Sequence, residues 1–319
     1  MQKILRIGTR DSQLAVWQAT LVQNLLKDSG RESELIYIKS EGDIDVVTPI
    51  YALGVQGVFT KTLDAALLGN RIDIAVHSMK DVPTLLAKGI RQAAVLERAS
   101  TKDILVFKSD QDPELLGFDK GAWGTPAGEH VFTIGTSSIR RIAQWLNRYP
   151  AHRVENLRGN VNTRLRKLQE NNWNGAIFAA AGLERIDLRP IKSIDLDWML
   201  PAPAQGAIMV VCREDDDEAW HSCQYFNHEH TALCTKIERD FLRTLMGGCS
   251  TPISGLATVE NSKVYFKGNV CSKDGRMKVD IEEEMELENA GTSGVRLGNQ
   301  LLNKPSAAKI VHDIRNGRN

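Results

Sequence analysis

Short apolar runs recur along the first two thirds of the chain, each leading through a polar turn into a helix-period stripe. Residues 4–7 run through Gly8-Thr9-Arg10-Asp11-Ser12 into a helix with Leu14, Trp17, Leu21 and Leu25 at helical spacing, N-capped by Ser12 or Asp11. A strand over 33–38, a helix over 60–68 and a strand over 72–76 follow, the last opening onto His77-Ser78-Met79-Lys80-Asp81-Val82-Pro83. The pattern restarts with strands at 103–107 and 131–134, a turn Gly135-Thr136-Ser137-Ser138 and a helix carrying Ile142, Trp145 and Leu146. A helix opened by Gly159-Asn160 and strands at 175–180 and 207–211 complete it. Strands alternating with helices predict an α/β fold with a mainly parallel sheet.

The chain has 319 residues, too long for one ordinary core, so two or three domains are expected. The texture changes near His221: one helix, three alternating segments at 256–259, 263–270 and 278–286, and a last helix at 295–302 predict a small α+β unit. The expected division is a split first domain (1–98 and 202–220), a second at 99–201 and a third at 221–319. Forty basic against forty acidic residues leave no net charge, which speaks against wholesale binding to nucleic acid or an anionic membrane. No apolar segment approaches a membrane span, and the N-terminal residues lack the apolar stretch of a signal peptide. Five cysteines, odd in number and without a CxxC pair, argue for a reducing cytoplasm and against a disulfide framework or zinc site. The acidic run 214–218 reads as a solvated helix start, not a metal site.

Three strand ends carry hydroxyls and cations together: Gly8-Thr9-Arg10-Asp11-Ser12, His77-Ser78-Met79-Lys80-Asp81 and Gly135-Thr136-Ser137-Ser138-Ile139-Arg140-Arg141. Ligands of open α/β sheets bind beyond such ends, where helix N-termini offer donors to anions. Arg140 and Arg141 lie in a first helical turn, where the dipole disfavours them; without a visible compensation they point to an anionic ligand. Seven arginines (140, 141, 148, 153, 158, 164, 166) fall between residues 135 and 166, with Glu155 the only acid. Arg164 flanks the apolar stripe of its helix, whereas Arg148, Arg153 and Arg166 suit a solvated face. Arginine's planar fork matches carboxylates and phosphates. Asp81, the carboxylate among these cations, can pair with a substrate cation or N–H, or move protons.

A second candidate centre is Leu245-Met246-Gly247-Gly248-Cys249-Ser250-Thr251-Pro252. A helix-like run stops at two glycines and a proline follows, which presents the Cys249 thiol on a loop. A reachable thiol, an arginine-lined cleft and one aspartate suit a polycarboxylate that becomes attached to sulfur.

These runs, with Leu157-Arg158-Gly159-Asn160-Val161, Ala181-Gly182-Leu183-Glu184-Arg185 and Gln205-Gly206-Ala207-Ile208, resemble the porphobilinogen deaminase (hydroxymethylbilane synthase) family over essentially the whole length. The resemblance implies two periplasmic-binding-protein-like βαβ domains around a cleft plus a small C-terminal α+β domain. It implies a transferase of tetrapyrrole and haem biosynthesis, cytoplasmic and monomeric, which condenses four porphobilinogen molecules stepwise on a dipyrromethane cofactor and releases hydroxymethylbilane by hydrolysis. By the same resemblance Cys249 carries the cofactor in thioether linkage and Asp81 is catalytic, also contacting the cofactor. Ser12, Lys80, Thr136, Ser137, Ser138, Arg140, Arg141, Arg164 and Arg185 are expected on the cofactor, and Arg10, Ser12, Arg158, Arg164, Arg185 and Gln205 on the substrate. Gln56 stands where many members carry lysine, Ala204 where glycine is usual, and the 109–130 connection looks long. Rival readings are a non-catalytic two-lobed binder of an organic polycarboxylate and a cysteine-dependent acyl transferase. For the latter no histidine sits in an activating motif. An RNA binder is a third, for which aromatic platforms and net positive charge are missing.

Overall fold

The computed structural model describes residues 3–39, 60–111, 131–245 and 251–316. Its strands are β1 (Leu5–Thr9), β2 (Ser33–Tyr37), β3 (Ile74–Ser78), β4 (Ile90–Val95), β5 (Asp103–Phe107), β6 (Thr133–Gly135), β7 (Arg153–Glu155), β8 (Gly175–Ala179), β9 (Ser193–Asp195) and β10 (Ile208–Arg213). The helices among them are α1 (Gln13–Asp28), α2 (Lys61–Leu68), α3 (Ile139–Arg148), α4 (Val161–Glu170), α5 (Ala180–Glu184) and α6 (Asp217–Gln224).

Two five-stranded sheets result, ordered β2-β1-β3-β10-β4 and β7-β6-β8-β5-β9. Both read parallel, parallel, antiparallel, antiparallel across the sheet. These are the paired α/β lobes that the resemblance implied, but the mainly parallel sheet expected from alternation is corrected to a mixed one. The cause is the connectivity. The chain leaves the first sheet at its edge strand β4 and enters the second as the interior strand β5. It returns from edge strand β9 to interior strand β10. Each entering strand runs against its neighbours, so two crossovers, at 96–102 and 196–207, link the lobes.

Burial on both faces explains the near-continuous apolar strands. In β3, Ile74 and Val76 pack toward α1 and α6, while Ala75 and the following Met79 pack toward α2. In the second sheet Trp145 of α3 fills one face and Leu168 of α4 the other. Helix α4 starts where Asn160 accepts the Thr163 N–H on its side-chain oxygen at 3.0 Å. The expected boundary at 220/221 falls inside α6, whose Ala219 and Cys223 are buried in the first sheet's core. That helix opens with Asp217 and Glu218 in its first turn, the solvated acidic start read from sequence.

The remaining elements are α7 (Glu229–Thr244), β11 (Ile253–Glu260), β12 (Lys263–Cys271), β13 (Lys278–Glu286), α8 (Ser293–Leu302) and α9 (Pro305–Arg315). The three strands form an antiparallel meander, and Phe241 of α7 meets Phe266 of β12 edge-on at 5.0 Å. No helix among the described residues is long and apolar enough to cross a membrane.

The crossovers touch where Ala99 N–H donates to the Gly206 carbonyl at 3.2 Å. Gly206 has φ +86°, and a Cβ there would lie 2.6 Å from the carbonyl oxygens of both Ala99 and Ser100. Gly206→Ala combines a left-handed backbone with overlap against main chain that cannot rotate away. It should lower stability by about 2–4 kcal/mol, read as a fall in the urea midpoint; an unchanged midpoint would show that the crossover relaxes freely.

Candidate active site

The expected site residues lie at the carboxyl ends of the parallel strands, where chain direction puts amide donors and helix starts. Arg10 and Ser12 follow β1, Lys80 and Asp81 follow β3, and Thr136, Ser137 and Ser138 follow β6, with Arg140 and Arg141 opening α3. Arg158 follows β7, Arg164 sits in the first turns of α4, and Arg185 caps α5 after β8.

Asp103 is the centre of the second lobe's part. Its carboxylate is wholly buried and takes Arg140 Nη2 at 2.7 Å on Oδ2, with Arg141 Nη2 and Nε at 2.8 and 3.1 Å on Oδ1. The inference that nothing in the chain compensates Arg140 and Arg141 is therefore corrected: Asp103 does. The carboxyl resists burial, but the two guanidinium groups and Lys80 hold it ionised, well below the usual range. Arg140 also donates to Leu200 O and Arg141 to Ile177 O, both at 2.8 Å. The Arg140 Nε is buried with no hydrogen-bond partner among the described residues.

Gln205 was expected on the substrate. It is instead fully buried, donating to Thr101 O at 2.8 Å and Asp103 Oδ1 at 2.9 Å while its oxygen takes Lys80 Nζ at 3.2 Å. Its amide is committed to holding Asp103 and Lys80 in register. Burial and the nearby Arg141 charge push the Lys80 amine down to about 8, partly offset by Asp81 and Asp103.

Across the cleft, Arg164 donates from Nε to Gly159 O at 2.7 Å. Burial and the charges of Arg141 and Arg158 lower it to about 10, while Asp81 acts in its favour. Asp81 thus feels Lys80 from its own lobe and Arg164 from the other, yet forms a salt bridge with neither.

Other expected residues are placed more loosely. Arg185 donates to Gly206 O at 2.7 Å, lies 5.7 Å from the Trp17 ring centroid and is pushed down to about 10 by burial. Ser137 Oγ is 2.6 Å from both Asn156 Oδ1 and Leu157 O, one of which takes its proton. Thr136 is buried, and its Oγ1 accepts the Ser138 N–H at 3.3 Å. Ser12 precedes α1 without capping it through its side chain. Arg10 acts on buried His77, whose pKa falls to about 4 chiefly through burial. Arg166 pairs with Glu170 on an exposed face, and Arg148 lies over the Trp198 ring at 5.0 Å; neither joins the cluster. Cys249, Gln56 and most of the 109–130 connection lie outside the described residues. Cys212, Cys223, Cys234 and Cys271 are free and buried, and burial pushes their thiols up, Cys234 to about 11 and Cys271 to about 12.

Asp103 was missed although it left a signal. An aspartate opening an apolar strand is almost never buried unless paired. Asp103→Asn leaves buried cations without their anion and should cost about 3–5 kcal/mol at neutral pH. Because the folded pKa is depressed, the carboxylate's contribution is complete above about pH 5 and drains away as pH falls. The wild-type advantage in urea unfolding should therefore be wide from pH 7 down to about pH 4 and narrow below it, toward pH 2. A pH-independent gap would show that ionisation of Asp103 is not the source.

Residues 5–221 match the porphobilinogen deaminase, dipyromethane cofactor binding domain, and residues 232–303 match the porphobilinogen deaminase, C-terminal domain. The porphobilinogen deaminase of Acidithiobacillus ferrooxidans is 39% identical over 323 residues, spanning 99% of this chain and 100% of that protein. That of Pelotomaculum thermopropionicum is 40% identical over 306 residues, 95% of this chain and 94% of that protein. Among solved structures, the second substrate binding domain of a putative amino acid ABC transporter from Streptococcus pneumoniae overlaps 69% of this chain and 90% of that chain. The overlap has a TM-score of 0.43 at 12% identity. With both segments matched in order along nearly its whole length, the chain belongs to the porphobilinogen deaminase family.

Proposed function

We propose that this chain condenses four porphobilinogen molecules head to tail on a covalently held dipyrromethane, releasing ammonia at each step and hydroxymethylbilane by hydrolysis. The observation that carries the reading is the cluster of Lys80, Arg140, Arg141, Arg158 and Arg164 around Asp81 and Asp103, drawn from both lobes. Asp103 is spent on Arg140 and Arg141, so the cations remain in surplus. Such a surplus in a partly buried cleft favours a ligand with several carboxylates. Dipyrromethane and porphobilinogen both carry acetate and propionate side chains, so the donor set fits the cofactor as well as the substrate.

When bound, dipyrromethane supplies the pyrrole carbon to which the first substrate joins. Lys80, Arg140, Arg141, Arg164 and Arg185, with Ser12, Thr136, Ser137 and Ser138, would hold its side chains, and Cys249 its carbon skeleton. Arg10, Arg158, Arg164 and Arg185 would orient the incoming porphobilinogen. Asp81, which has no salt bridge among the described residues, would accept the substrate's pyrrole N–H and offset the positive charge that builds as ammonia departs. Tethering keeps each intermediate at the site between steps. The four described cysteines are buried, which supports the fifth, Cys249, as the anchor. Both lobes come from one chain, which supports action as a monomer, and free thiols suit a reducing cytoplasm.

Intact-mass spectrometry of the purified protein should show an adduct of two pyrrole units that Cys249→Ser loses. An unmodified mass after incubation of apoprotein with porphobilinogen would sink the reading and favour the non-catalytic binder. Asp81→Ala should keep the adduct and the fold while turnover of porphobilinogen falls by about 10²-fold or more; near-normal turnover would remove Asp81 from catalysis.

A further inference from the structure

Helix α7 reaches out of the third unit to grip the turn that carries Asp81. Arg239, 9% exposed, donates from Nη1 to Val82 O at 2.9 Å and more distantly to Met79 O at 3.4 Å, and from Nη2 to Pro83 O at 2.6 Å. Met79 and Val82 bracket Lys80 and Asp81, and Val82 N–H closes the turn on Met79 O at 3.1 Å. One planar cation therefore holds carbonyls on both sides of Asp81. Buried loop carbonyls need a donor. A rigid guanidinium fork reaches several at fixed angles, which the single ammonium of lysine does not.

The preceding residue ties the same helix to the crossovers. Buried Glu238 accepts Ala204 N–H at 2.6 Å and Ala257 N–H at 2.8 Å, and pairs with both terminal nitrogens of Arg98 at 2.6 and 3.0 Å. Arg98 in turn donates to Gln205 O at 2.9 Å. Helix α7 ends at Thr244, five residues before Cys249 in sequence. Among the described residues Asp81 has no salt bridge to fix its carboxylate, so the backbone of its turn is what aims it.

We propose that Arg239 is a positioning residue for the condensation, fixing the Asp81 turn against the helix that leads to Cys249. The inference rests on the function proposed above and adds a group that acts through Asp81 without touching the substrate. A misplacement of about 1 Å can cost on the order of 10²-fold in rate.

The test uses holoprotein, with kcat normalised to the primer-bearing fraction measured by intact mass. It compares wild type, Arg239→Lys, Arg239→Ala and, as a control at an exposed position one turn further along the same helix, Arg243→Ala. At a temperature where all are folded by circular dichroism, both Arg239 variants should lose about 10²-fold in kcat with KM for porphobilinogen within about threefold. Methylguanidinium should restore part of the loss in Arg239→Ala and none in Arg239→Lys, and Arg243→Ala should match wild type. A merely structural Arg239 would lower the melting temperature and leave kcat unchanged; that outcome overturns the proposal, as does Arg239→Lys at wild-type kcat should Arg239→Ala not fold. Wild type that fails to consume porphobilinogen would overturn the function itself, a result distinct from active wild type with active variants.

Discussion

A cleft built to hold several carboxylates must first fold with its cations empty-handed, and Asp103 makes that possible. Placing Arg140 and Arg141 side by side in a water-poor helix start costs desolvation and mutual repulsion. The Asp103 carboxylate meets three of their nitrogens, and Gln205 links it to Lys80 of the opposite lobe. One anion against three cations leaves the group folded yet still positive. Removing the surplus altogether would give a more stable protein with nothing to offer an anionic ligand, a trade common at binding sites.

The first lobe uses the same device for a different end. Buried Asp73 gathers Lys3 at 2.6 Å, Arg6 at 3.0 Å and Arg213 at 3.3 Å. It lies just before β3, at the amino end of that strand, and Arg213 closes β10, which runs antiparallel beside it. This cluster therefore sits at the end of the sheet away from Lys80 and Asp81. Asp103 also begins a strand, but β5 runs against β8, so Asp103 pairs with Ala179 at the carboxyl end of its neighbour. Strand direction decides which carboxylate becomes scaffold and which enters the site. Ile208 likewise lies opposite Ser78 because β10 is antiparallel, which brings Gln205 and Gly206 to the end of β3.

That dependence explains what could be read from the residues. The apolar runs of β1, β3, β5, β8 and β10 and the helices beside them were legible because burial on one or two faces writes its own period. The strand end at Arg140 and Arg141 was legible because two cations in a first helical turn oppose the dipole and call for an anion nearby. Strand direction was not, since an apolar run reads the same in a parallel or antiparallel setting. The edge strands β4, β7 and β9 were also missed, β7 and β9 spanning only three residues each. Asp103 and the contacts of Gln205 followed from that gap: one was passed over as a strand's first residue, and the other's amide reaches Thr101, Asp103 and Lys80, partners that only the antiparallel β10 brings near. Cys223 was set with the third unit because α6 shows no composition break before α7, yet its side chain belongs to the first core.

Ala204 carries the reasoning one step further. It is buried at φ +61°, a left-handed conformation that glycine adopts at little cost and alanine does not. Its N–H is held by Glu238 at 2.6 Å, and the next residue but one, Gly206, is left-handed as well. The strain is maintained because a buried carboxylate on α7 needs that amide, and Arg98 on the opposing crossover needs the carboxylate. Both crossovers are thus fastened to the helix that holds the Asp81 turn through Arg239. A movement of one lobe against the other would have to bend the chain around these buried charge contacts or break them. The contacts thus join the third unit to both crossovers and to the turn of Asp81, besides leading to Cys249.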